Sequence, residues 1–433
     1  MIRKPQGRVQ KSIRAAYARA LRLILRPDGP HNAPSPFQFF NLLTLLGRPL
    51  DQIKLVEENV EFRTGATHRP HTFHIKVLLV ETTAKEPKEI HWNVIARVMG
   101  HIDENNKKSV NIRSKFEREI LMYLTAFKSL DKFQRLFPAV GINYCDLFPI
   151  CYGCAFSVMN QNTGRADHTA AILLQNLKAS SYHFISEPCD IALARLIVKR
   201  LALFHATPIA MAMQTINRYL HKLHSRMTGD IKFDPEYNAS EEFEIISDTL
   251  YGDPELTQYL AAINHQLGLC AYNIDSNNDI ENPAWTTICH RRCSIRKIMQ
   301  RFQDGDDRER IKFVDTKYME YDSCATDLLF FMLTSLTKAV LDKYFDDILQ
   351  TYFSEFSRIM SIACIQLPEY TYQNFVTEFE LRALSYMGPV FFEIRRIYFD
   401  GIFGSKPIRG MSYETKLKEV VSFVKDKGWL KRR

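Results

Sequence analysis

The spacing of apolar residues changes its period part-way along this chain, and that change most constrains what the chain can fold into. Phe73, Ile75, Val77 and Leu79 alternate with other residues over 73–81, and residues 92–99 alternate in the same way. A period of two puts one set of side chains on one face of a β-strand. The polar stretch 82–91 between these runs predicts a hairpin tip. Phe116, Ile120, Tyr123, Leu124 and Phe127 then share one side of a helix predicted over 115–130. Residues 169–174 form another strand-like run. Beyond it the segments read mostly as helix, including 191–205 and a long stretch, 327–362, split between two helices. Residues 230–256 read as an acidic, irregular surface insertion. Strands with one helix, followed by helices, predict an α+β layout in two lobes, and 433 residues are enough for both.

The net charge of +8 is unevenly placed. Arg3, Lys4, Arg8, Lys11, Arg14, Arg19, Arg22 and Arg26 precede the first acid, Asp28. Without those eight, the 57 basic residues fall to 49, equal to the 49 acids. A balanced body excludes a nucleic-acid partner for the chain as a whole. Val9, Ile13, Tyr17, Leu21 and Leu25 give the basic segment an amphipathic spacing. A mitochondrial transit segment, a contact with an anionic membrane and a structural basic helix all stay open. A cytoplasmic location is expected, with the mitochondrion as the alternative. Pro27, Gly29, Pro30, Pro34 and Pro36 predict a linker. No apolar run approaches the ~20 residues of a membrane span, so no transmembrane segment is expected. Nine cysteines spread over this length fit reduced thiols. Cys151-Tyr-Gly-Cys154 has a metal or redox spacing, but no second pair at zinc-finger spacing follows it.

Several short stretches occur in a telling order. They are Phe116-Glu-Arg-Glu119-Ile-Leu-Met-Tyr123, Leu173-Leu-Gln-Asn-Leu177, Leu201-Ala-Leu-Phe-His205-Ala206, Cys289-His290-Arg291-Arg292-Cys293, Phe313-Val-Asp315 and Cys324-Ala-Thr-Asp327-Leu-Leu-Phe-Phe331. In order and spacing the chain resembles the ecdysteroid-kinase-like (choline-kinase-like) family of insects, which is similar to the aminoglycoside phosphotransferases. The resemblance implies a two-lobed protein-kinase-like fold with a small β-rich N-lobe and a larger helical C-lobe. Residues 1–36 are then a basic extension and linker, 37–175 the N-lobe, and 176–433 the C-lobe with a catalytic-loop remnant at 289–299.

The family's catalytic parts map onto altered residues. Phosphoryl transfer needs a cradle for the phosphates, metal ligands and a carboxylate that orients the attacking hydroxyl. The family loop resembles Cys-His-Gly-Asp-x-x-x-x-Asn. Here His290 survives, Arg291 replaces the glycine, Arg292 the catalytic aspartate and Lys297 the metal-binding asparagine. An arginine accepts no proton at physiological pH. A lysine repels Mg²⁺. Asp315 matches the metal aspartate, but Lys297 and Lys317 are candidates to salt-bridge it. Arg97 stands for the strand lysine and can pair with Glu119. Gln175 and Asn176 occupy the hinge. The segment 63–71 has one glycine, Gly65, where a glycine-rich cover is expected. His205 is expected to pack rather than catalyse, and Asp327 to be an N-cap or a loop-holding carboxylate. Residues 291–297 read as a solvated basic loop, with an anion site as the alternative.

Together these implications predict a pseudokinase. It would bind a small hydrophobic or anionic molecule, or a protein partner, in the cleft between lobes, and would need no cofactor. One alternative is an active sterol or alcohol kinase that uses ATP and Mg²⁺ and takes its acid from Asp304, Asp306, Asp307 or Asp322. The other is an anion-binding interaction module.

Overall fold

The computed structural model describes residues 53–59, 71–81, 88–100, 102–158, 164–214, 237–271, 283–301, 310–399 and 408–430. The basic extension 1–36, residues 82–87 of the expected hairpin tip, residues 63–70 of the cover segment and Asp304, Asp306 and Asp307 lie outside them, whereas residues 88–91 of the expected tip are strand. The described residues group into two units. One contains the chain up to Lys128 together with Pro149–Tyr182; the other contains Ser129–Phe148 and the chain from His183 onward. Residues 129–148 group with the helical unit.

The first unit is built on strands β1 (Ile53–Asn59), β2 (His71–Glu81), β3 (Lys88–Val98), β4 (Cys151–Ala155) and β5 (Ala171–Gln175). They form an antiparallel sheet in the order β1-β2-β3-β5-β4. On β3 the buried Val94, Ala96 and Val98 alternate with the less buried Ile95 and Arg97, the period-two pattern of a sheet with one face on the core. Helix α1 (Lys107–Leu121) starts eight residues before the expected 115. Its N-cap is Asn106, whose side chain accepts from the amides of Lys108 and Ser109. Polar first turns hid that start from a reading of apolar spacing. A π turn at Met122–Ala126 follows, and helix α2 (Phe127–Gln134) resumes after it.

The second unit is mostly helical. Its helices are α3 (Ile191–Gln214), α4 (Ala239–Leu250), α5 (Pro254–Thr257), α6 (Leu260–Ala271), α7 (Cys324–Ser335), α8 (Lys338–Ile362), α9 (Tyr372–Ser385), α10 (Met387–Tyr398) and α11 (Tyr413–Asp426). Short strands β6 (His183–Phe184), β7 (Thr286–Cys289), β8 (Ile298–Arg301), β9 (Arg310–Phe313) and β10 (Glu320–Ser323) form two small sheets, β10-β7 and β6-β8-β9. The expected split of 327–362 into two helices matches α7 and α8. Helix α3 runs past His205 and through Pro208, because burial of 206 and 208–211 outweighs the amide that proline lacks. Among the described residues α3 is long and apolar enough to cross a membrane by length and composition alone. Most of it is instead buried inside the unit.

The expected irregular insertion at 230–256 is also corrected over its described part. Asn238 caps α4 with its side chain. Glu242, Ile246 and Leu250 are buried on one face of that helix. Glu242 pairs with Arg395 of α10. Acidic residues here mark a packed helix, since a buried carboxylate is tolerated when a guanidinium meets it.

Candidate functional site

Helix α7 anchors the loop after β7 from behind. All twelve of its residues are buried. In its first turn Asp327 accepts from the amides of His290 and Arg291, the latter at 2.7 Å. At its last residue the Ser335 hydroxyl accepts from the Ile295 amide at 3.2 Å. The loop is thus fixed along one rigid helix from 290 to 295. Asp327 is the loop-holding carboxylate; the N-cap role goes to Ser323, whose hydroxyl accepts from the Ala325 amide.

His205 completes this frame. Its Nε2 lies 3.2 Å from Asp327 Oδ2 and its Nδ1 2.8 Å from the Tyr352 hydroxyl. A carboxylate only accepts, so Nε2 donates to Asp327. Burial would raise the Asp327 carboxyl, but the hydrogen bond and charge of His205 hold it below the ordinary value. His290 donates from Nε2 to the Val314 carbonyl at 2.8 Å, and burial lowers its basicity. Cys289 joins His205 and Asp327 in a buried group whose ligand atoms lie within 4.8 Å of one another. Both ring nitrogens of His205 are already engaged, and burial pushes the Cys289 thiol far above its ordinary value. Both Asp327 oxygens are likewise spent on the His290 and Arg291 amides, so these side chains already serve the loop.

The other side of the loop carries the altered residues. Arg292 is 3% exposed, and its guanidinium carbon sits 4.0 Å from the centroid of the Tyr318 ring. Arg291 has φ +68°, in the left-handed region that glycine enters without penalty. Its guanidinium meets Asp322, approaches Glu320 at 3.7 Å and stands over the Tyr386 ring at 5.2 Å. Arg296 donates to the Ile397 carbonyl at 3.3 Å. Lys297 pairs with Asp315 Oδ2, and Lys317 with Oδ1 at 2.8 Å. The expected solvated basic loop is corrected: carboxylates, aromatic rings and carbonyls engage these cations, because buried charge must be compensated.

These pairings also decide whether a divalent cation suits the site. Burial would raise the Asp315 carboxyl, yet Lys297 and Lys317 hold it well below the ordinary range. Both its oxygens are occupied by ammonium groups. A Mg²⁺ ion seeks carboxylate oxygens free of competing cations. The residues present do not fit one here. Asp322, considered as a substitute acid, is neutralised by Arg291.

In the first unit Arg97 and Glu119 form an ion pair, with the guanidinium 5.6 Å from the Phe116 ring centroid. The Gln175 side chain bonds to the Ser180 hydroxyl and the Ile150 amide. Asn176 contacts His74 and accepts from the Ala179 amide. The hinge side chains are thus tied into local structure. The structure brings His290, Arg292, Lys297 and Asp315 together in one unit, and Arg97, Glu119, Gln175 and Asn176 in the other.

Sequence reasoning missed Tyr318, Tyr352 and Tyr386. Each is a tyrosine among nineteen, and none lies in a quoted motif. Tyr352 meets His205 across 147 positions of sequence, a pairing that no local pattern encodes. Arg291 had one available signal: a bulky residue at a position where the resembled family keeps glycine needs compensating partners.

A model of the ecdysteroid kinase-like family matches residues 71–364. Among solved structures the chain is similar to a microcompartment-associated aminopropanol kinase, at 12% identity over 92% of this chain and 100% of that one, with a TM-score of 0.35. It is also similar to APH(2")-IIa in a ternary complex with streptomycin and ATP, at 13% identity over 80% and 96% of the two chains, with a TM-score of 0.29. No curated protein matches.

Proposed function

The chain belongs to the ecdysteroid kinase-like family of kinase-like phosphotransferases, and from that premise we propose that it binds its ligand without transferring phosphate. The observation that carries this reading is the charge at two positions. A buried arginine, Arg292, stands where the family resemblance places the general base. The surviving metal carboxylate, Asp315, is held by two lysines. General-base and metal assistance each contribute factors of roughly a hundred or more. Losing both leaves negligible turnover. Binding of a small hydrophobic or anionic molecule, or of a protein partner, is the function that such a protein retains.

Two measurements test this. Incubation with Mg-ATP and a panel of sterols, alcohols and amino alcohols is expected to give no phosphorylated product; product formed above the protein-free rate overturns the reading. A thermal shift with ATP is expected to be the same with and without Mg²⁺, because Asp315 has no free oxygen for the ion. A shift that appears only with Mg²⁺ would count against it.

A further inference from the structure

We propose that Cys151 and Cys154 form an oxidisable dithiol that reacts with low-molecular-weight disulfides and closes into an intramolecular disulfide.

On a regular strand, residues three apart point to opposite faces. β4 is not regular. Cys151 lies opposite Leu174, Gly153 opposite Leu173 and Cys154 opposite Ile172. Tyr152 is the inserted residue of a β-bulge. Leu174 and Ile172 are two apart on β5 and share a face, so their partners Cys151 and Cys154 share one too. The Tyr152 ring stacks on Trp92 with centroids 4.4 Å apart and planes 20° apart, which fixes the insertion. The bulge thus brings to one face two thiols that a regular strand would set on opposite faces.

Access and reactivity agree with the geometry. β4 is at the edge of the described sheet, and both cysteines are half-buried. The two thiols interact with each other. The neighbouring Cys151 thiol holds Cys154 below its ordinary value against the opposing effect of burial, and the Lys128 ammonium adds to it. Cys151 is raised correspondingly. A thiol that gains thiolate character beside a second thiol is the arrangement found at redox-active pairs. Of the other described cysteines, Cys189, Cys289, Cys293 and Cys324 are buried and raised, burial pushes Cys145 up to about 12, and Cys364 is exposed without a second cysteine beside it in sequence.

The Cys154 thiolate attacks one sulfur of the small disulfide. A new S–S bond forms and one small thiolate leaves. Cys151 then gives up its proton, which the departing thiolate takes, and attacks the Cys154 sulfur. The S–S bond between Cys151 and Cys154 forms as the second small thiolate leaves and is protonated. The two protein thiols lose two electrons and two protons, and the small disulfide becomes two thiols.

Arg97, Ile172 and Cys154 are in cross-strand register, so the dithiol shares the sheet face that bears the Arg97–Glu119 pair. Cys154 Sγ is also 3.9 Å from the carbonyl of Ile120, the residue after Glu119.

The test uses the full reduced chain, incubated with glutathione disulfide, alkylated and mapped by mass spectrometry. The peptide carrying both cysteines is expected to lose two hydrogens and to take no alkyl group, and dithiothreitol should restore both alkylations. Cys151→Ser is expected to trap glutathione on Cys154, whereas Cys154→Ser should leave Cys151 largely unmodified. Full alkylation of both cysteines in the treated wild type, or a lasting glutathione adduct there, overturns the proposal whatever the variants do. Equal adduct on the two variants overturns the assignment of Cys154 as the attacking thiol.

Discussion

Asp327 and Asp315 are carboxylates of the same helical unit, both held below the ordinary carboxylate range, and different partners hold them there. Asp327 is enclosed by two backbone amides and a histidine. Asp315 is enclosed by two lysines. Directional amide bonds fix a loop in space, whereas ammonium groups cancel a charge. Behind the loop, then, the frame that would present catalytic groups is intact. In front of it, the groups presented are a buried arginine and a neutralised acid. Geometry and chemistry are separable here because they rest on different side chains. A fold can keep the first while the second reverses sign.

Substitutions at each side should separate them further. The largest effect is expected at Asp327, where alanine would leave two amides and His205 without their acceptor. Denaturant unfolding should show a loss of about 3–5 kcal/mol, and a loss under ~1 kcal/mol would mean the frame does not depend on this carboxylate. Next comes Arg292→Leu. It removes a desolvated cation–ring contact with Tyr318 and should cost about 2 kcal/mol, with stability unchanged if the guanidinium only fills space. The smallest effect is expected at Arg291. Its alanine variant should be less stable than its glycine variant by about 1 kcal/mol, since both lose the same ion pairs but only alanine keeps the left-handed penalty. Equal stabilities would show that the backbone there relaxes.

Acid titration compares the two carboxylates directly. Both folded values lie below the ordinary 3.8. A depressed carboxylate contributes stability that is fully present above its unfolded value and is lost as pH falls through the folded one. Unfolding free energy should therefore be insensitive to these two groups near neutral pH and should fall below about pH 4. Asp327→Asn is expected to flatten part of that fall, as seen by urea titration at stepped pH.

Much of the fold was legible because local patterns carry it. Alternation marked β2 and β3, and the split of 327–362 matched two helices. The readings that failed did so where polar residues do structural work. Asn106 started α1 early, and α4 emerged from a stretch that looked irregular because Asn238 caps it and Arg395 meets Glu242. At the candidate site the substitutions themselves were visible, since residue identity at a motif position is a sequence property. Their surroundings were not.

By itself the sequence determined residue chemistry at each motif position: a guanidinium at 292, ammoniums at 297 and 317, and a carboxylate at 315. These identities exclude a proton acceptor at 292 in any environment, because arginine stays protonated. Only the tertiary structure decided that the cations are enclosed rather than solvated, that Asp315 meets both lysines, and that Cys151 and Cys154 share a face. The physical reason is range. Charge and periodicity are written locally, whereas burial and pairing depend on segments that meet only after the chain has folded.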